Sequence, residues 1–463
     1  MDVQRNGNVS FWYADDEVGG IPDYRRALPG DCDADVCIVG AGFTGLWTAY
    51  YLRKADPSIR VVIVEREFAG FGASGRNGGW LSGGFGWSRE KYLKTSTRGA
   101  VVDMQRAMAG TVDEVISVAA AEGIDADIVR ADNMKVAVNP PQLERIKAEH
   151  ADYLDWETPA DRVALLSRAE ARARVNVANT LGAFIIRGMA RVQPAKLARG
   201  LAVAVERLGV PIYEQTEVTA ICKGKATTSR GGVRAPIIIR ATEGFTPGLP
   251  GYSRAVLPLN SALIVTEPLS PHLWKDIGWE SHELLCDAAH DFFYAQRTRE
   301  DRIAIGGRGV PYRFGSRTDS RGKTQQATID RLRGILHRTL PQVAASKIQH
   351  AWCGVLGVPR DWCTSVGLDP STGMGWAGGY VGLGVSSSNL AARTLRDLIL
   401  RRDTDLTRLA WVNRKVRRWE PEPFRWLGVN AMYQLYRIAD RREAAGLQHT
   451  SRLATFADRI TGR

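Results

Sequence analysis

The chain has 463 residues, 44% hydrophobic and 24% charged, with 62 Lys and Arg against 50 Asp and Glu for a net charge of +12. That length suits two or three domains with a large core, and the composition is that of a soluble globular protein, which excludes a fibrous or disordered chain. No apolar run nears the ~18–20 residues that cross a bilayer, and the six cysteines and seven histidines show no metal-ligand spacing. A membrane span, a zinc or iron–sulfur centre and a disulfide framework are therefore excluded. The Arg-rich charge comes without stacking aromatics or a helix-turn-helix pattern, so it reads as solvated helix faces and predicts no nucleic-acid partner.

Residues 1–33 read as a lead-in strap with Phe11-Trp12-Tyr13 as its anchor and Pro22, Pro29 and Gly30 as breakers. Its opening, Met1 to Gly7, has no apolar signal core, which predicts a cytoplasmic location. Next comes Asp35-Val36-Cys37-Ile38-Val39-Gly40-Ala41-Gly42-Phe43-Thr44-Gly45, a helical pattern, and Val61-Val62-Ile63-Val64 closing on Glu65. An apolar strand, Gly-x-Gly-x-x-Gly, a helix and a second strand ending in an acid make a dinucleotide-binding βαβ unit. Gly40 permits the tight turn, Gly42 the approach of a pyrophosphate and Gly45 close helix–sheet packing, while Glu65 is placed for a ribose diol.

A glycine-rich loop follows, Gly72-Ala73-Ser74-Gly75-Arg76-Asn77-Gly78-Gly79. Its N–H groups beside an Arg and an Asn predict a second anion or flavin clamp. Helical patterns cover about 98–122 and 141–153, and Pro194 opens a helix over 196–208. Short β-rich runs at 210–213, 216–222 and 235–242 return the chain to the nucleotide domain. Residues 255–310 alternate as an antiparallel sheet with strands at 257–268, 292–297 and 302–307, and 324–340 is an amphipathic helix. Gly375 to Asn389 reads as strand, glycine turn and helix start, with Ser and Asn as candidate caps. A helix N-terminus there would stabilise negative charge on a flavin pyrimidine ring, which predicts FAD as the dinucleotide.

The expected fold is α/β, a discontinuous Rossmann-like FAD-binding domain with a second α+β substrate domain on an antiparallel sheet. The expected boundaries are 1–33 for the strap, 34–98, 194–250 and 345–404 for the FAD-binding domain, 99–193 and 251–344 for the substrate domain, and 405–463 for a helical tail.

On these motifs, with Trp352-x-Gly354 and Gly378-Gly379-Tyr380-Val381-Gly382-Leu383-Gly384, the chain resembles the D-amino-acid-oxidase-like superfamily of FAD-dependent amine oxidoreductases. Ser10-Phe11-Trp12 and Arg418-Trp419-Glu420-Pro421-Glu422-Pro423 make it most similar to the γ-glutamylputrescine oxidase branch. The resemblance implies oxidation of a C–N bond: hydride passes from the carbon beside a neutral amine to flavin N5, the imine hydrolyses, and O₂ reoxidises the flavin to give H₂O₂. The implied partners are a small amine substrate and O₂. The alternatives are a dehydrogenase using a protein or quinone acceptor, and a non-catalytic FAD-binding subunit.

The expected cofactor contacts are Gly40, Gly42, Phe43, Thr44, Gly45, Glu65 and Arg66, then Gly72, Ala73, Ser74, Arg76, Asn77, Gly78 and Gly79. Val218 (by analogy with relatives), Thr242 and Gly354 follow, and Gly379, Gly382, Leu383 and Gly384 complete the set. Amino-acid oxidases of the superfamily carry a carboxylate-clamping Arg where this chain has Leu356, so simple free amino acids are disfavoured as substrates. Arg308 is the candidate replacement and Tyr294 a candidate substrate-facing residue, the two making the predicted catalytic set. Cys353 is one residue from the position that holds flavin covalently in sarcosine-oxidase-like members, which predicts non-covalent FAD. No Lys stands in Arg302 to Gly306, where those members carry an oxygen-activating one, and Leu383 replaces a residue that is often polar.

Overall fold

The computed structural model describes residues 3–14, 17–84, 88–308, 312–319 and 321–461, with Arg308 described by its backbone alone. Among the described residues the strands form sheets of six, four and ten. In the six-stranded sheet, Val36–Val39 lies between Val61–Val64 and Ile237–Arg240, all parallel. Ile212–Tyr213 extends one side, Met374–Gly378 and the antiparallel Ser365–Asp369 the other.

A parallel strand must be covered on both faces, and the sequence of Val36–Val39 meets that demand residue by residue. Val36 and Ile38 pack into the core under the helices Phe43–Ala55, Pro194–Arg207 and Gly384–Ile399. Cys37 and Val39 face the other way, onto Ala226 and Val233 of the small four-stranded sheet and Ala235 just beyond it. The βαβ unit is thereby sealed from both sides.

In the ten-stranded sheet Leu257–Thr266 pairs antiparallel with Ile303–Arg308 and Ile348–Val358. Ala262 and Ile264 pack under the helix Gln326–Thr339, whereas Leu263 and Val265 face Phe11, Trp12, Tyr13 and Trp352. The strap is thus an internal wedge. Trp12 Nε1 donates to the Asn77 carbonyl at 2.7 Å and Ser10 Oγ to the Gly75 carbonyl at 2.7 Å, so it also fixes the glycine-rich loop.

Two placements differ from the sequence reading. Ile348–Val358, assigned there to the FAD-binding domain, runs along Leu257–Thr266 in the large sheet. The helix Arg98–Ala121, assigned to the substrate domain, buries Val101, Met104, Met108 and Val115 in the nucleotide-domain core. Local patterning fixes an element's type and leaves open which sheet completes it.

The tail contributes the helices Phe424–Ala444 and Arg452–Thr461. It is locked to the large-sheet side by buried Glu443, whose carboxylate meets Arg145 Nη2 at 2.8 Å and His290 Nε2 at 3.0 Å. Asp440 accepts the N–H groups of His290 and Asp291, each at 2.9 Å. Burial alone would raise the Glu443 carboxyl, but the hydrogen bonds from His290 and Arg145 win and hold it down at about 2. A carboxyl depressed in the folded state stabilises above its ordinary value near 4.5 and loses that contribution as pH falls towards 2. Replacing Glu443 with Ala leaves Arg145 and His290 without their buried anion and should cost about 3–5 kcal/mol. Thermal unfolding at pH 7 should show that loss, together with faster proteolysis of the tail.

Candidate functional site

The site begins where Val39 ends. Gly40 turns with φ of +106°, and a Cβ there would sit 2.7 Å from the Ala241 carbonyl. A Cβ on Gly45 would run into the Gly40 carbonyl and lie 3.1 Å from the Ile38 side chain. These two positions let Phe43–Ala55 start directly over the strand ends. Its N-cap is Gly42, which offers no side-chain cap, and Gly42, Phe43 and Thr44 line the cleft above. The Ser74 hydroxyl reaches across from the glycine-rich loop to accept Phe43 N–H at 2.8 Å, and Thr44 Oγ1 lies 2.8 Å from Tyr380 Oη.

A second helix N-terminus points into the same cleft. Gly384–Ile399 starts after Leu383, again with no side-chain cap. Ser386 to Asn389, read from sequence as candidate caps, are instead buried inside the helix, where Asn389 Nδ2 donates to Tyr51 Oη at 2.9 Å. A Gly-Gly-x-Val-Gly turn supplies the reversal, so the side chains after it are free to pack.

Between the termini runs a cleft of about 1270 Å³, counting its open mouth. At one end it is lined by Glu65, Arg66 and Val218, at the other by Gly382 and Gly384. Gly40, Gly42, Phe43 and Thr44 form the floor, with Thr242 at the adjoining strand end. Gly72, Ala73, Ser74 and Asn77 line the cleft from the second loop. The cleft thus gathers residues that lie far apart in sequence.

Other predicted contacts stand behind the lining. Gly45 is the packing contact just described, and Leu383 is the helix N-cap. Arg76 does not line the cleft: it is buried, donates Nε to the Phe71 carbonyl at 2.7 Å and stacks 4.3 Å over the Phe71 ring. Burial pulls its guanidinium down to about 10. Gly78 backs onto the Tyr294 ring, Gly79 onto Gln296, and Gly354 onto Arg76. The loop carries its cation as an internal brace, and its cleft face is presented by smaller residues.

Sequence reasoning missed Glu243. Its Oε2 accepts Gly357 N–H at 2.7 Å, and its Oε1 accepts Gly379 and Tyr380 N–H at 3.0 and 3.1 Å. Gly379, expected from sequence to contact the cofactor, has its N–H on this carboxylate. One side chain ties three pieces together: the turn after Ile237–Arg240, the end of Ile348–Val358, and the turn before Gly384. Burial pushes its carboxyl up to about 7, against the pull of the three N–H donors and Arg240. Glu65 shows the same balance, raised by burial while Ala41 and Glu67 N–H, at 2.8 and 2.9 Å, hold it down. The signal was available: like Glu65, Glu243 follows closely on an apolar strand, Ile237-Ile238-Ile239. Phe71, Phe245, Leu249 and Val355 also line the cleft without having been singled out.

On the large-sheet side the wall is apolar, with Val355 and Leu356 lining the cleft. Tyr294 is half-buried, its ring packed against Gly78 and Gly306 and its hydroxyl 2.8 Å from Ser261 Oγ. Burial pushes that phenol up to about 12, so it stays protonated. Arg308 pairs through its backbone with Ser261, and its side chain lies outside the described residues, as does Gly309 beyond it. Cys353 does not line the cleft; its thiol donates to the Lys323 carbonyl at 3.4 Å, and burial pushes it up to about 12.

Over residues 35–398 the chain matches the protein family described as FAD dependent oxidoreductase. It is 29% identical over 377 residues to γ-glutamylputrescine oxidoreductase of Escherichia coli (strain K12), covering 79% of this chain and 83% of that one. A probable oxidoreductase, OrdL of Haemophilus influenzae, is 26% identical over 392 residues, 81% of this chain and 84% of that one. Among solved structures, glycine oxidase from Geobacillus kaustophilus superposes with a TM-score of 0.70 at 22% identity, over 83% of this chain and 99% of that one.

The residues present fit FAD. Two helix N-termini whose N-cap residues supply no side-chain cap open into one cleft, the first with only its Phe43 N–H taken by Ser74, and an acid stands at the far end for a ribose. Removing the carboxylate in Glu243→Ala strands three buried N–H groups at about 1–3 kcal/mol each and loosens the turn before Gly384. Fluorescence titration of the apoprotein should show FAD affinity falling at least about tenfold, from a loss of about 1.4 kcal/mol.

Proposed function

The chain belongs to the FAD dependent oxidoreductase family, and on that premise we propose that it is an amine oxidase, acting on a polyamine derivative or an N-substituted glycine. Bound FAD supplies a hydride acceptor, so the carbon beside an uncharged amine gives up hydride and the nitrogen a proton, leaving an imine that water hydrolyses.

What the protein itself does is bind, orient and dry. Gly40, Gly42, Phe43 and Thr44 would hold the pyrophosphate on the first helix N-terminus, and Glu65 the ribose. Gly382 and Gly384, at the second helix N-terminus, would face the pyrimidine end, where aligned N–H groups favour the negative charge that reduction brings. The thiol of Cys353 is turned to the Lys323 carbonyl, which supports non-covalent attachment.

The observation that carries the reading is the apolar wall of Val355 and Leu356 over the cleft. An amine desolvated against such a wall loses its proton more readily, because burial disfavours the charged ammonium. Neutralisation by environment replaces a strong catalytic base: Glu243 already accepts three N–H groups and Tyr294 stays protonated. Leu356 offers no charge to a carboxylate, which weighs against small free amino acids. The name of the Escherichia coli relative supports a polyamine derivative.

Reoxidation by O₂ would give H₂O₂. The strand Ile303–Arg308 carries no lysine, which favours comparing O₂ directly with a quinone or protein acceptor. Mixed anaerobically with a panel of secondary amines and γ-acylated diamines, the purified holoprotein should lose its 450 nm band and yield the aldehyde or keto product by mass. Simple amino acids should bleach it slowly. A flavin band untouched by every amine contradicts the assignment, and dye reduction without peroxide in air moves the acceptor away from O₂.

A further inference from the structure

Next to the cleft, on the same side of the large sheet, lies a second cavity with a different chemistry. It occupies about 840 Å³, counting its open mouth. Its floor is Leu257 and Leu259, its rim Trp362 and Trp419, and its roof one face of Phe424–Ala444: Gly428, Val429, Met432 and Tyr433. The roof helix lies beyond residue 398, where the family match ends. It is fastened there by Trp419, whose Nε1 donates to the Val358 carbonyl at 2.8 Å and whose N–H donates to the Arg254 carbonyl at 2.9 Å.

Two contacts connect this cavity with the cleft. Leu259 is the register partner of Leu356 in the antiparallel pair, so the two side chains stand side by side on one face of the sheet. Leu356 lines the cleft and Leu259 the cavity. Val381, from the turn before Gly384, packs into the same cluster as Leu257, Leu259 and Trp419. The adjacent Leu259 and Leu356 side chains, with Val381 beside them, lie between the cavity and the cleft.

Its charged groups already have partners. Arg360 pairs with Glu420 at 3.1 Å and lies 5.1 Å over the Trp419 ring. Arg425 pairs with Glu422 at 3.1 Å, and Tyr436 Oη donates to Asp458 at 2.7 Å. A ligand there meets aromatic and aliphatic walls and ion pairs already made, so an ammonium or carboxylate entering it would lose water without gaining an opposite charge of its own.

Resting on the amine-oxidation reading above, we propose that this cavity receives the far arm of the substrate and that the arm is uncharged and apolar, an aryl or alkyl group. The preferred substrate is then an amine with its reacting C–N bond beneath Leu356 and its apolar substituent under the tail helix. Within the polyamine and N-substituted glycine classes this selects members whose distal end is capped or hydrocarbon, and it disfavours those with a free distal cation.

Gly428 gives a clean test. A Cβ there meets nothing within 4 Å, so a side chain can start from the position without clash, and replacing a helical glycine favours the helix. In Gly428→Leu holoenzyme, anaerobic flavin reduction by an arylalkyl amine such as N-methylbenzylamine should slow at least about tenfold, as for loss of an apolar pocket contact. Reduction by methylamine derivatives that do not reach the cavity should be unchanged, and the melting temperature equal or higher. A second arm uses cumylamine, which has no hydrogen on the reacting carbon: it should quench tryptophan fluorescence in the parent protein and not in the variant. Equal slowing of both amine classes, no slowing of either, or an effect confined to reoxidation by a quinone overturns the proposal. If no amine reduces the flavin while cumylamine still binds only the parent, the oxidation reading fails and the cavity stands as an apolar amine site. If cumylamine quenching is the same in both proteins, the cavity assignment itself is wrong.

Discussion

The cleft exists because the chain leaving Val39 can turn beneath Ala241 and start a helix directly over the strand ends. Gly40 has a left-handed backbone within 2.7 Å of a carbonyl for any added Cβ, and Gly45 sits against the Gly40 carbonyl itself. A methyl group at either place would lift the helix N-terminus off the sheet, and with it the positive end of the helix dipole. The two-sided burial of Val36–Val39 fixes that turn in space, with helices on one face and the small sheet on the other.

Assembly of the rest depends on parts that the βαβ unit does not contain. The glycine-rich loop is held from behind by Arg76 and by Ser10 and Trp12 of the strap, so its cleft face needs no charge of its own. Glu243 does the corresponding work at the other end, binding the turn before Gly384 to the large sheet. Arg76 is buried and Glu243 half-buried, and both act through backbone partners. Their cost in desolvation is visible in the lowered Arg76 guanidinium and the raised Glu243 carboxyl. The site is consequently stiff where an anion or a flavin edge would rest and apolar where an amine must lose its proton.

Much of this was legible in the sequence, and the limits follow from physical periodicities. The turn at Gly40, the acid at Glu65 and the second helix start at Gly384 are each encoded within their own short stretch of sequence, so local pattern finds each of them. The antiparallel sheet was visible in the alternation over 255–310, and the pairing of Leu257–Thr266 with Ile303–Arg308 agrees with it. Membership was not local. Ile348–Val358 has the same apolar pattern whether it joins the nucleotide sheet or runs beside Leu257–Thr266, and only the complete topology decides. Arg76 illustrates the other limit: spacing placed it near the cofactor, but the direction of a long side chain depends on Phe71, which it covers. Glu243 was missed because its partners, Gly357, Gly379 and Tyr380, lie more than a hundred residues away. The tail was read as helical, yet nothing in its pattern said that one face would roof a cavity beside Leu259.

Everything described for this cleft requires that it hold intact FAD by non-covalent contacts drawn from separate parts of the chain. Acid precipitation of the purified protein, followed by chromatography and mass measurement of the supernatant, tests it directly. All flavin should leave the precipitate as FAD, about one per chain. Flavin retained on the pelleted polypeptide, or release of a nicotinamide dinucleotide in its place, would contradict it.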